Sequence, residues 1–254
     1  MSMYILEVCV DSLESALAAE RGGADRVELC ADLIVGGTTP SVGLFRQIRQ
    51  LTQIAVHVLI RPRFGDFLYS SYEYDAMCYD AGAFLDAGAD AIVSGFLTSD
   101  GALHQQRMEE MTEVVHAAGR SFTLHRAFDM VQNAFAAQNL CEAIGVDAIL
   151  TAGQQNDCMK GFECICELDR RSQNTAIMAG AGLNTQNLPR FLQETAVRCF
   201  HMSAKKILHS SMCFRRAEVN MGLKGLSEYE IFRTDENEVR RARELLAFAA
   251  GTST

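Results

Sequence analysis

GGADRVELC (residues 22–30), AGADAIVSG (87–95) and IGVDAILTAG (144–153) repeat one phrase, with a weaker fourth copy in ETAVRCFHMS (194–203). Small residues, an Ala-Asp or Val-Asp pair and a short apolar run read as a helix ending on glycine, a tight turn and a buried strand. Asp25, Asp90 and Asp147 are 65 and then 57 residues apart, so each interval has room for two strand–helix units. Strand-like runs fill the intervals at Tyr4–Val10, Arg26–Cys30, Ala55–Ile60, Ala91–Ser94, Ser121–His125, Ala148–Thr151, Ala176–Ala179 and Arg198–Met202. Between them, helical periodicity marks Leu13–Arg21, Val42–Thr52, Tyr74–Asp86, Gln106–Ala117, Asn133–Ala143, Gly161–Ser172 and Thr185–Glu194, and Glu236–Ala249 closes the chain. Strands alternating with helices of this length pair in parallel through right-handed crossovers. Eight such units in 254 residues predict an α/β fold, a single (β/α)8 TIM-type barrel over 1–254. A doubly wound open sheet is the competing arrangement, but no G-x-G-x-x-G follows the first strand.

The composition narrows the function classes. A net charge of −9 repels phosphate on average, which argues against nucleic acid and anionic lipid as partners. An apolar fraction of 48% excludes disorder, and no apolar run reaches the roughly 18 residues of a membrane span. The opening MSMYILEVCVDSLESA has no basic region and meets acidic residues early, so no signal peptide and a reducing, cytoplasmic setting are expected. There, nine cysteines, an odd number, cannot form a complete disulfide framework. Most are expected to be small core residues. Cys164 and Cys166 form a C-x-C, but on a helix they point about 200° apart and suit packing rather than chelation.

In a barrel, polar residues at the C-terminal ends of strands carry the information. The first two strands end in the same E-x-C phrase, Glu7-Val8-Cys9 and Glu28-Leu29-Cys30. Alternation places each Glu and its Cys on one face. Strand three adds Arg61 and Arg63, whose guanidiniums suit carboxylate or phosphate, and strand five adds His125, Arg126 and Asp129. A single glutamate facing a barrel interior is commonly a structural ion pair; a set this large is read as a functional pocket. Glu7, Glu28, His125 and Asp129 are the expected acid/base groups, with Arg61, Arg63 and Arg126 clamping an anion. Gly180 and Gly182, with His201 and Ser203 after the last strand, are expected to seat phosphate or another small anion. Cys9 and Cys30, on neighbouring strand ends, suit a soft ion such as Cu(I) better than zinc, which wants four closed positions. Residues 204–235 show no clear period and are too long for a routine connection, so they read as a lid, a clasp or a dimer arm at the mouth.

Five phrases are specific enough to carry a resemblance: LEVCVDSLESALAAERGGADRVELCADLIVGGTTPS (6–41), IRPRFGDFLYS (60–70), LHRAFDM (124–130), MAGAGLN (178–184) and FHMSA (200–204). In this order they resemble the CutC copper-homeostasis family, and the likeness continues through SEYEIFRTD (227–235). The resemblance implies a TIM-type barrel, cytoplasmic and homodimeric, with copper homeostasis as its role and Cu(I) on the two strand-end thiols, here Cys9 and Cys30. The charged strand ends imply something else, an enzyme acting on a small phosphorylated or carboxylated molecule. A copper carrier has no need of guanidiniums and paired carboxylates beside its thiols. A non-catalytic interaction module would instead carry apolar strand ends.

Overall fold

Eight parallel strands close into one barrel: β1 (Ile5–Val10), β2 (Arg26–Leu29), β3 (Ala55–Leu59), β4 (Ala91–Ser94), β5 (Ser121–Leu124), β6 (Ala148–Thr151), β7 (Ala176–Ala179) and β8 (Cys199–Met202). This computed structural model describes residues 4–252 apart from Ala217 and Lys224. The helices α1 (Leu13–Arg21), α2 (Val42–Leu51), α3 (Ser71–Asp86), α4 (Gln105–Ala117), α5 (Ala134–Ile144), α6 (Phe162–Arg171), α7 (Leu188–Glu194) and α8 (Glu236–Thr252) alternate with the strands. The (β/α)8 expectation from the repeated phrase therefore holds.

Two helix starts differ from the periodicity by three residues, each for a local reason. Helix α3 begins three residues early because Ser70 and Glu73 form a reciprocal capping box. Helix α7 begins at Leu188 rather than Thr185 because the Asn184 side chain captures the backbone N–H groups of Gln186 and Asn187 in a turn.

The apolar core lies outside the barrel, between strands and helices. Leu6, Val8, Val27, Leu29, Val56, Val58 and Ile60 point outward and are buried against helix residues such as Phe45, Ile48 and Phe84. The alternate residues face the lumen, and there the chemistry changes. Glu7, Arg26, Glu28, His57 and His201 all project inward, with a small apolar set of Cys30, Leu59 and Val93 on one side and Leu150, Met178 and Cys199 on another. Burial of ionisable groups in this lumen is costly unless they satisfy one another, so register decides the site.

Residues 204–235 are not without order. They form an antiparallel ribbon, β9 (Lys205–His209) with β10 (Glu230–Thr234). Its period was invisible because all of β9 is exposed and only Thr234 of β10 is buried, so no face carries a core signal. The base of the ribbon is pinned where Thr234 N donates to Ser15 Oγ at 3.1 Å and Asp235 N to Ala204 O at 2.7 Å. Ile207, Phe214 and Met221 stand exposed along it. No described helix is long and apolar enough to cross a membrane.

Candidate functional site

The parallel register builds a charged cluster around Glu7. Glu7 on β1 is level with Arg26 on β2 and with His201 on β8. Arg26 Nε donates to Glu7 Oε2 at 2.6 Å, and His201 Nδ1 lies 2.7 Å from Oε1. His57 Nδ1 approaches Oε2 at 3.4 Å. Burial alone would neutralise this carboxyl, which is 1% exposed, but Arg26, then His201 and His57, hold it ionised, well below the usual carboxylate range. One position further along, Cys9 pairs with Glu28 across β1 and β2, and Glu28 with His57 across β2 and β3. Glu28 Oε2 lies 3.8 Å from His201 Nε2, so the imidazole stands between the two carboxyls.

The carboxyls titrate far apart. Burial pushes Glu28 up to about 7, and the Glu7 charge adds to the rise, while His201 opposes it. Burial would deprotonate His201, yet the Cys9 thiol in hydrogen-bond contact with it, together with Glu7 and Glu28, raises it well above an ordinary histidine. His57 goes the other way, drawn down to about 4 mainly by burial. An ionised carboxylate, a protonated imidazole and a carboxyl near neutrality thus share one lumen.

A cavity of about 230 Å³ opens above this cluster at the C-terminal ends of the strands. Cys9, Glu28, Arg61, His125, Arg126 and His201 reach its wall, as do Gly182 and Ser203. Other expected site residues fall elsewhere. Glu7 sits beneath the cavity and acts on it through His201. Arg63 turns away to the surface, where Nε bonds Glu73 at 2.5 Å and a terminal nitrogen meets Asp66, so it is no pocket clamp. Asp129 is a structural clasp: its carboxylate accepts from Thr151 Oγ1 (2.5 Å), Ala152 N (3.0 Å), Gln154 N (3.0 Å) and Arg126 Nε (2.7 Å). With its lone pairs so used, little remains for proton transfer. Gly180 is small because Leu150 and His201 press against it, and a Cβ on Gly182, at φ +76°, would collide with the Asp157 carboxylate. That carboxylate beside the turn disfavours the phosphate seat expected there.

The thiols are unequal. Cys9 stands at the cavity wall, its Sγ 3.8 Å from Met202 O. Cys30 is buried, with Sγ 3.6 Å from Glu28 Oε2, and burial followed by the Glu28 charge raises it well above an ordinary thiol. Among the described residues no three His, Cys, Asp or Glu side chains converge into a closed metal site. Zinc therefore has no tetrahedral cage, whereas a soft ion content with two donors needs none. Cys164 and Cys166 lie half-buried on α6, packed against the outer core.

Arg26 and His57 escaped the sequence reading. The available signal was alternation, since Arg26 is two residues before Glu28, and His57 two before Leu59 and four before Arg61.

Comparison with known proteins agrees with this architecture. The CutC family model matches residues 4–206. A human copper homeostasis protein cutC homolog is 41% identical over 239 residues, covering 93% of this chain and 87% of the relative. A CutC family protein of Bacteroides fragilis is 42% identical over 233 residues, covering 91% and 92%. The crystal structure of the CutC of Streptococcus agalactiae superposes with a TM-score of 0.73 at 30% identity, over 79% of this chain and 98% of that one. A Pyrococcus furiosus thiamine phosphate pyrophosphorylase, at 14% identity and a TM-score of 0.58, shares the fold alone. A match over most of the chain, at this identity and with the same barrel, places the protein: the chain belongs to the CutC family.

Proposed function

We propose that the protein serves copper homeostasis in the cytoplasm as a homodimer, taking Cu(I) as cargo at the lumen thiols, with Cys9 as the entry ligand. The observation that carries this reading is the position of Cys9, a soft donor at the cavity wall in contact with the His201 imidazole and one strand away from Cys30. Thiolate and imidazole are donors that a soft, low-coordination ion selects. The names of the human relative and of the Streptococcus agalactiae structure support the same role. Binding replaces protons on the buried thiol and on His201, so each ion bound releases protons and affinity rises with pH. A competition titration with a Cu(I) chelator tests it. Replacing Cys9 and Cys30 together by Ser is expected to weaken binding at least about 100-fold, because hydroxyls are poor ligands for a soft ion. Unchanged affinity in the double variant would overturn the reading.

A second reading, acid/base catalysis, is favoured by a separate observation, the divergence of Glu7 and Glu28. Two carboxyls in one site, one held ionised and the other near neutrality, are how an enzyme supplies both a charge and a proton donor at working pH. Glu28, with His201 beside it, is the transferring group, and Glu7 positions His201. The raised Glu28 also links folding to pH. Its folded value of about 7 exceeds its unfolded value of 4.5, so it favours folding below the unfolded value and loses that contribution as pH rises through 7. Glu28→Gln removes this slope; the difference in stability between the parent and the variant is expected to shift in the variant's favour between pH 5 and 8. A difference independent of pH over that range would remove this reading.

A further inference from the structure

The lumen holds a buried cation without a counter-ion. Arg61 is 6% exposed, and no carboxylate pairs with it among the described residues. Its guanidinium is capped by backbone carbonyls: one terminal nitrogen donates to Gly37 O at 2.9 Å and Val35 O at 3.4 Å, the other to Gly65 O at 2.8 Å. The guanidinium stands over the Phe67 ring, 5.0 Å from ring centre to guanidinium carbon. Carbonyl dipoles satisfy hydrogens but leave the charge unbalanced, and an isolated charge taken out of water is costly. Among the described residues Arg61 Nε, which is buried, makes no hydrogen bond, and the buried Tyr69 hydroxyl beside the guanidinium makes none either.

A second orphan donor stands beside it. The His125 ring also packs on Phe67, 4.8 Å between centroids. Its Nδ1 accepts from Ala127 N at 3.2 Å, so the ring proton of the neutral imidazole resides on Nε2. Nε2 is buried without a partner, and His125 lines the same cavity as Arg61. Burial, then the Arg61 charge, draws His125 down to about 3, which keeps it a neutral donor at physiological pH. Both side chains line one cavity, so a fixed positive charge and a neutral N–H stand at the same wall.

From these two orphaned donors we infer that the cavity binds a small monocarboxylate, its head held by Arg61 and His125 and its carbon chain lying along Leu33, Leu59 and Leu150 toward Glu28. The inference rests on taking the lumen as a ligand pocket, as the acid/base reading does, and it names the class of molecule. Charge balance selects a monoanion over a phosphate dianion. Arg126 at the wall already pairs with Asp129, the protonated His201 is matched by Glu7, and Glu28 contributes negative charge as it ionises. A volume of about 230 Å³ falls below that of pockets for drug-sized ligands and suits a short chain. The carboxylate would restore to Arg61 the counter-ion that the chain itself withholds.

Calorimetric titration of the full chain with acetate, butyrate and hexanoate, with inorganic phosphate and butyramide as controls, tests this inference. A carboxylate is expected to bind while butyramide and phosphate bind more weakly. Arg61→Met is expected to weaken the carboxylate at least about tenfold, the size of a lost charge-assisted hydrogen bond. Should that variant fail to fold, His125→Phe, which keeps the ring and removes the donor, carries the same expectation. Equal affinity in parent and variants, no carboxylate binding, or preference for phosphate or the amide would overturn the inference. Carboxylate binding is also measured in Glu28→Gln and in the Cys9→Ser, Cys30→Ser protein. Retention in both separates this site from proton transfer and from copper, so either of those readings can fail while this one stands, and the reverse.

Discussion

Replacement of Glu7 by Gln is expected to lower stability by about 3–5 kcal/mol, the cost of leaving buried charges without their partner. Glu7 touches three groups at once, with Arg26 at 2.6 Å, His201 at 2.7 Å and His57 at 3.4 Å. Arg26 is only 15% exposed and His201 10%, so water cannot replace the lost carboxylate. In a chain of this size the loss corresponds to a melting temperature lower by roughly 6–20 °C. The sign with pH follows from the depressed Glu7 value. Its contribution is present above the unfolded value of 4.5 and disappears as the medium becomes acidic enough to protonate the folded form. The parent and the Gln variant therefore converge in stability only in strong acid. Two further measurements isolate the cause. Adding Arg26→Met to the variant should recover part of the loss, because it removes one of the stranded charges. The His201 ring should titrate lower once its 2.7 Å partner is neutral. A melting temperature unchanged at neutral pH would show that Glu7 does not hold the cluster.

Asp129→Ala is expected to be comparably damaging, by about 3–5 kcal/mol, although this residue does not line the cavity. Its carboxylate gathers the Thr151 hydroxyl, two backbone N–H groups from Ala152 and Gln154, and the Arg126 guanidinium, and is 6% exposed. Removing it strands two buried donors, a cation and the end of β6 together. Gln154, held by this clasp, has φ +58°, a conformation that a non-glycine residue keeps only when its surroundings insist. Exchange of the Ala152 and Gln154 amides with solvent should accelerate with the fall in melting temperature. Asp129→Asn, which retains the shape and one acceptor oxygen, should fall between parent and Ala. If Asp129 were instead an acid/base group, the Ala variant would melt like the parent and only activity would change. Thermal melts of the three proteins decide between these roles.

Much of the site was legible from strand alternation while a strand lasts. Glu7 and Cys9 share a face because both belong to β1, and the same logic would have added Arg26 to Glu28 on β2. Alternation failed beyond the strand ends. Arg61 and Arg63 have equal parity, yet β3 stops at Leu59, and the chain then turns through Pro62. One guanidinium enters the lumen while the other joins Glu73 at the surface. Asp129 lies beyond β5 on a short 3₁₀ turn, where a period of two has no meaning, and its partners come from the next loop. The ribbon after β8 was unreadable because its strands face solvent and leave no apolar pattern.

The sequence by itself determined the eight-unit barrel, since each repeat of turn and apolar run can bury its strand only by pairing with the next. It also determined that charge gathers at the strand ends. Only the tertiary structure decided which charges meet. Glu7 and His201 are 194 residues apart, and their contact depends on closure of β8 onto β1 in one register. A shift of a single residue in either strand would turn its side chain outward into the helix layer and break the contact. Closure likewise left Arg61 in the lumen without an acid partner among the described residues. Composition, with its excess of Asp and Glu, would have predicted the opposite. Net charge is a sum over the whole chain, whereas a binding site is fixed by the few groups that folding removes from water together.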